Sequence, residues 1–130
     1  MALMTYREPN QVRWVGIRPG HRGTQIIGDV LIENNTADIL QITAGKKGYI
    51  TLITLSIMHA AAGYVYLYWT DSLNAILGTL FTNRSAINTK TTDLCINFSP
   101  PFEIGDNHKI RLRSSDVAVR PHATVIGWEE

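Results

Sequence analysis

The chain has 130 residues, of which 45% are hydrophobic and 18% are charged, and its formal net charge is +1. This length suits one domain, and the composition excludes a disordered or strongly polyionic protein. The balanced charge argues against nucleic acid as a partner, because nucleic-acid binders usually carry a clear basic excess. No apolar run is long enough for a membrane-spanning helix, so no membrane partner is expected. The single cysteine, Cys95, excludes an internal disulfide and is typical of a reducing compartment.

Residues 1–37 differ from the rest of the chain because glycine and proline interrupt them repeatedly. Arg7 and Glu8 follow the first six residues directly, so we expect no apolar core like that of a signal peptide. The apolar stretches 12–17 and 26–32 allow one or two short strands. We interpret residues 1–37 as an extended N-terminal arm, which either adds a strand to the main sheet or packs on a neighbouring subunit.

Residues 38–130 predict one all-β domain with about seven strands, separated by turn residues. The first strand is predicted at 39–43. The next, at 48–60, is longer than a usual strand, so a bulge or bend is expected within it. The strand at 64–70 is expected to form a hairpin with it. This spacing is typical of an antiparallel sandwich or barrel.

The remaining strands alternate with turns and with two proline positions. The prolines at 99–101 predict an irregular stretch, and Pro121 predicts an edge strand or a bulge. The polar residues 83–90 predict a loop. Further strands are predicted at 75–81, 93–98, 108–113 and 117–128.

The strand at 64–70 carries a row of three tyrosines. Tyr64, Tyr66 and Tyr68 share one of its faces, and the opposite face is entirely apolar. A strand that is apolar on both faces is rarely left half-solvated. We therefore expect one face in the core and the tyrosines against the arm, a neighbouring subunit or a sugar. Trp14 in the arm is a further predicted interface residue.

A basic row follows the strand at 108–113. Lys109, Arg111 and Arg113 alternate with two apolar residues, so the cations should point outward together. The row is either a solvated face that protects a sheet edge or a docking stripe for an acidic protein surface. Nucleic acid is a weaker interpretation, because no aromatic platform accompanies the row.

The sequence predicts no catalytic site, no metal and no cofactor. A G-x-S-x-G elbow, a G-x-G-x-x-G loop and a P-loop are all absent, and the four histidines lack helical ligand spacing. An enzymatic alternative would be a small metal enzyme that uses some of His59, His108 and His122. Most carboxylates outside the arm are expected in turns, bonded to backbone N–H groups: Asp71, Asp93, Glu103, Asp106 and Asp116.

Four segments of residues 39–130 follow one another in a recognisable order: I-T-A-G-K-K-G-Y-I-T-L-I-T-L-S-I, Y-V-Y-L-Y-W-T-D, F-S-P-P-F-E-I-G-D-N-H-K-I-R-L-R-S-S and V-I-G-W-E-E. This order resembles small β-sandwich virion structural proteins of tailed bacteriophages, of the capsid decoration or cement type. The resemblance implies a jelly-roll-like sandwich that carries no catalytic residues. It also implies a homo-oligomer, with a trimer favoured, attached to the major capsid protein or another virion protein. The chain would be made in the host cytoplasm and reside in the virion.

A second function uses the same aromatic residues differently. In a carbohydrate-binding or receptor-binding module of a tail or fibre, the tyrosines, Trp14 or Trp128 would stack on a sugar. The sequence does not choose between the capsid surface, a head–tail junction, a tail and a fibre base.

Overall fold

The computed structural model describes residues 23–85 and 90–130. These residues form β-strands and no helix, so none of them builds a helix that could cross a membrane. The predicted all-β class is confirmed, and seven of the eight strands start at residue 36 or later. The strands are β1 (Thr24–Leu31), β2 (Thr36–Gln41), β3 (Gly48–His59), β4 (Gly63–Thr70), β5 (Ile76–Ser85), β6 (Lys90–Ile104), β7 (Lys109–Ser114) and β8 (Val119–Glu129).

The strands build two antiparallel sheets of four strands each. Sheet I has the order β1-β8-β3-β6, and sheet II has the order β2-β7-β4-β5. Only β4 and β5 are consecutive strands that pair within one sheet, and every other connection leads to the opposite sheet. The predicted antiparallel β-sandwich is therefore confirmed.

The core lies between the two sheets because alternate residues of each strand point inward. In sheet II, Val65 and Leu67 of β4 are fully buried, and Leu112 of β7 lies opposite Leu67. Sheet I contributes a matching inner layer that is also fully buried: Ile50, Ile53, Ile57, Val119, Ala123 and Val125. Removing this apolar surface from water is the main driving force for folding.

The strand framework begins at Thr24, upstream of the boundary expected between residues 37 and 38. β1 pairs with β8 along its whole length, and Ile26 and Val30 pack against the core. Their alternate spacing explains why this stretch forms a strand of sheet I despite its glycine. The rest of the predicted arm, residues 1–22 with Trp14, lies outside the described residues.

The expected hairpin between β3 and β4 is wrong. β3 lies in sheet I between β8 and β6, and β4 lies in sheet II between β7 and β5. Each strand is thus paired on both sides, and their inner faces meet across the core. The connection between them passes from one sheet to the other, where Ala60 N donates to Ala118 O at 2.8 Å. The bulge predicted in β3 is confirmed by a register shift between Ile50 and Leu52.

The two proline predictions had different outcomes. Pairing of β6 with β3 is interrupted between Asn97 and Phe102, so the irregular stretch at 99–101 is confirmed, and its Ser99-Pro100 bond is cis. The edge or bulge predicted at Pro121 is wrong, because β8 is an inner strand and keeps its register there. Pro121 O accepts from Ile32 N at 3.2 Å. Since the nitrogen and carbonyl of a strand residue point to the same side, the missing N–H faces the end of β1 and no bond to β3 is lost.

Candidate protein interface on sheet II

The tyrosine row and the basic row lie on the same surface. β4 pairs with β7 so that Tyr66 lies opposite Arg113 and Tyr68 opposite Arg111. Residues that are directly opposite in an antiparallel ladder point to the same side of the sheet, so the two rows form one outer face. β5 adds Arg84, which lies opposite Tyr64. We call this surface the Tyr–Arg face, defined by Tyr64, Tyr66, Tyr68, Arg84, Lys109, Arg111 and Arg113.

The alternation of β4 decides which of its faces is outside. Val65 and Leu67 are fully buried, so the tyrosines occupy the outer side. Tyr64 and Tyr66 are half-buried, and their ring centroids lie 4.6 Å apart. Tyr68 is only 7% exposed. The aromatic area left for a partner is therefore concentrated at Tyr64 and Tyr66.

One end of the Tyr–Arg face holds a carboxylate beside two cations. Asp38 of β2 accepts a hydrogen bond from Arg111 Nε at 2.7 Å, and its second oxygen lies 3.7 Å from Lys109 Nζ. Lys109 also donates to Asn74 Oδ1 at 3.0 Å. A single carboxylate thus contacts two neighbouring cations here and offsets one of their two positive charges.

The other end of the face carries positive charge without a carboxylate. A hydrogen bond to Tyr64 raises the pKa of Arg113, which also donates to Thr36 Oγ1 at 3.2 Å. The guanidinium of Arg84 lies 5.5 Å from the centroid of the Tyr64 ring, which is within range of a cation–π interaction. Neither arginine forms an ion pair with any residue in the described ranges. Tyr64 therefore has a guanidinium on each side.

Tyrosine and arginine are the residue types that protein interfaces favour. The tyrosine ring buries a large area while its hydroxyl remains hydrated, and the guanidinium fork binds carboxylates in two-point geometry. In this chain the tyrosines and arginines of the Tyr–Arg face lie together on the outer surface of sheet II. The arrangement suits binding to another protein surface.

Two of the aromatic side chains predicted to stack on a sugar are buried. Trp128 is 6% exposed and stacks on Tyr49 with ring centroids 5.2 Å apart, and Tyr68 is buried as well. Trp14 lies outside the described residues.

The structure does not bring the three candidate metal-binding histidines together. His59 is fully buried, with Nε2 2.8 Å from Asn83 Oδ1. His108 Nδ1 accepts from Gly105 N at 3.1 Å, and His122 lies on the outer face of sheet I. Within the part of the chain that the structure describes, no three His, Cys, Asp or Glu side chains could share a metal ion.

The carboxylates expected in turns divide into two groups. Asp71 accepts from two backbone N–H groups of its own turn, at 2.8 and 2.9 Å, and Asp116 accepts from Ala118 N at 2.8 Å, as predicted. The turn position of Glu103 is wrong because Glu103 lies in β6, and Asp93 lies in the same strand, in agreement with the strand predicted at 93–98. There Asp93 accepts from Ser56 Oγ at 2.7 Å.

Sequence reasoning missed a polar cluster on the outer face of sheet I. Asp29 Oδ1 accepts a hydrogen bond from Thr124 Oγ1 at 2.6 Å and lies 2.8 Å from His122 Nε2. The bond from Thr124, assisted by His122, holds the pKa of Asp29 below its ordinary value of 3.8. β1 and β8 meet only in the folded sheet, so no local pattern indicated this cluster.

We expect Asp29→Asn to lower the melting temperature at neutral pH, with the difference shrinking as the pH falls below 3.8. Because the folded-state pKa lies below the unfolded one, ionised Asp29 stabilises the fold above 3.8, and this contribution is lost as the pH falls through the folded-state pKa. Melting curves of both proteins across acidic pH test this. Thr124→Val should reduce the same pH dependence, and a difference that persists unchanged in acid would contradict the assignment.

Solved structures similar to this chain include a phage capsid protein and a virus structure. No protein-family model and no curated protein matches the chain. The crystal structure of a pentameric capsid protein isolated from metagenomic phage sequences is 16% identical over 76% of this chain and 58% of that one, with a TM-score of 0.44. The structure of infectious bursal disease virus, Gt strain, is 10% identical over 91% of this chain and 36% of that one, with a TM-score of 0.30. The chain thus spans little more than half of the first protein and about a third of the second. At these TM-scores, neither likeness assigns a function to the chain.

Proposed function

We propose that this chain is a non-enzymatic structural protein of a phage virion, a capsid decoration protein that stabilises the shell through oligomeric contacts. The observation that carries the proposal is the Tyr–Arg face, where half-buried tyrosines and arginines share one outer sheet surface. Such a face works by burial and requires no reacting group. It fits the absence of a catalytic motif from the sequence.

The strand order supports the same proposal. Two sheets in the orders β1-β8-β3-β6 and β2-β7-β4-β5 match an eight-stranded jelly roll, an architecture that viral capsid domains share with lectins and cupins. The outer face of a packed sheet is a preformed surface, and the backbone of such surfaces usually moves little on binding.

A weak contact made by each copy would hold the protein on the shell if many copies made it at once. Each copy buries the exposed parts of Tyr64 and Tyr66, and a symmetric oligomer on the shell repeats that contact many times. We favour a trimer that binds the major capsid protein, made in the host cytoplasm and incorporated into the virion.

Shell binding by two alanine variants tests the proposal. We expect Tyr66→Ala to bind shells that lack this chain at least tenfold more weakly than the wild type, because interface tyrosines are frequent hot spots. Met58→Ala should bind normally, since Met58 is exposed on the outer face of sheet I, on the opposite side of the sandwich. Co-sedimentation with shells gives the affinities, and light scattering gives the oligomeric state.

Two results would contradict the proposal. One is a protein that stays monomeric at high concentration and does not bind shells. The other is glycan binding that Tyr66→Ala abolishes while oligomerisation is unchanged, which would favour the carbohydrate-binding module.

A further inference from the structure

We propose that Arg84 and Arg113 form a carboxylate-binding site around Tyr64, which receives an aspartate or glutamate side chain of the protein that covers the Tyr–Arg face. The inference rests on the proposed function and adds the chemistry of the neighbour: its contacting surface is acidic.

The charge balance of sheet II is the first support. Its four strands contain five charged residues, of which four are cations and one is Asp38. Asp38 pairs with Lys109 and Arg111 and offsets one positive charge, so sheet II keeps a net charge of +3, and within the described ranges Arg84 and Arg113 are the two of its cations that pair with no carboxylate. A partner that buried these guanidiniums without an anion would leave unpaired buried charges, which is strongly unfavourable.

The position of Tyr64 is the second support. Its ring centroid lies 5.5 Å from the guanidinium of Arg84 on β5, and Arg113 lies on β7, the strand on the other side of β4. Tyr64 therefore lies between the two strands that carry these arginines, in contact with Arg84, while Arg113 is held by Thr36 Oγ1 at 3.2 Å. Guanidinium groups pair with carboxylates through two parallel hydrogen bonds, so two exposed guanidiniums on either side of Tyr64 suit a carboxylate.

Two other occupants fit the face less well. A second copy bound face to face would bring its own two arginines against these two, and like charges repel. A nucleic acid would need several phosphate contacts, whereas two of the four cations of sheet II already pair with Asp38, and this carboxylate would repel phosphates at the same face. An acidic protein surface pairs with both arginines. It brings no arginines of its own against them and does not need a long row of free cations.

Titration of the full chain with an acetylated tetraglutamate peptide tests the site directly. We expect the Nε–H signals of Arg84 and Arg113 to shift in a saturable way, and Arg113→Gln to weaken peptide binding about tenfold. The control is Arg120→Gln, because Arg120 is an exposed arginine on sheet I that already pairs with Glu33 at 3.3 Å. Unmoved Arg84 and Arg113 signals, or an equal shift at Arg120, would overturn the inference. Tighter binding of a short DNA duplex of equal charge would also overturn it.

Shell binding separates this inference from the proposed function. If the wild type binds shells and the double variant Arg84→Gln/Arg113→Gln binds equally well, the carboxylate site is refuted while the virion role stands. If the wild type binds no shells but the peptide still moves both arginine signals, the virion role is refuted while the carboxylate site stands. Both arginines are exposed, so these substitutions leave the core intact, and melting curves verify this.

Discussion

Leu67→Ala is expected to lower the free energy of unfolding by about 3 kcal/mol. Leu67 is fully buried between the sheets and lies opposite Leu112 of β7 and Phe81 of β5. Cores are close-packed, so the truncated side chain leaves a cavity that its neighbours fill only partly. Equilibrium unfolding in urea measures the loss.

Two controls separate burial from residue type. Leu77→Ala removes the same atoms from a side chain of β5 that is 47% exposed, and it should change stability by only about 0.5 kcal/mol. Tyr66→Ala, on the adjacent residue of β4, should destabilise much less than Leu67→Ala but should weaken shell binding. Equal losses of stability at Leu67 and Leu77 would contradict the assignment of the inner face.

Gly28→Ala is expected to lower the free energy of unfolding by about 2–3 kcal/mol. A Cβ at this position would lie 2.1 Å from the carbonyl oxygen of Ile39 in β2, at the edge where the two sheets approach. The obstacle is the backbone of Ile39, which lies at a register shift between two residues that pair with β7, so it can move aside only by disturbing that pairing. Chemical denaturation measures this effect as well.

Gly45→Ala is the matched control for the added methyl group. A Cβ at Gly45 would meet no atom within 4 Å, but its φ of +80° is unfavourable for alanine and should cost about 1 kcal/mol. The steric account requires Gly28→Ala to be the more damaging substitution. The reverse order would show that β1 and β2 can separate without loss.

The orientation of side chains within each strand could be predicted because alternation is a local property. Residues 64–70 and 109–113 alternate in the sequence, and the structure places Leu67 and Leu112 inside and Tyr66 and Arg113 outside. The long strand β3 and the interruption at 99–101 were likewise predictable from apolar runs and prolines.

The pairing of strands could not be predicted, because it depends on residues far apart in the chain. No local pattern indicated that the tyrosine and basic rows are neighbours, or that Asp38 compensates only one end of the basic row. Arg84 fell in a predicted loop, since the polar residues around it conceal that β5 continues to Ser85. In the sequence, Gly28 was interpreted as a break in the arm. In the structure, its lack of a side chain allows the backbones of β1 and β2 to approach each other.

The two sides of β4 thus have different roles in this account. Its inner side stabilises the sandwich, and its outer side is the surface offered to other proteins. Substitutions on the inner side should therefore lower the free energy of unfolding without changing the groups that contact a partner. Substitutions on the outer side should weaken partner binding and change the free energy of unfolding little.

The most direct measurement is hydroxyl-radical footprinting of the chain, free in solution and bound to assembled shells, with side-chain oxidation read by mass spectrometry. We expect Tyr64 and Tyr66 to be oxidised in the free chain and strongly protected in the particle, while Met58 reacts at the same rate in both. Equal oxidation of Tyr64 and Tyr66 in the two states would show that the Tyr–Arg face stays exposed after assembly, and would contradict the account.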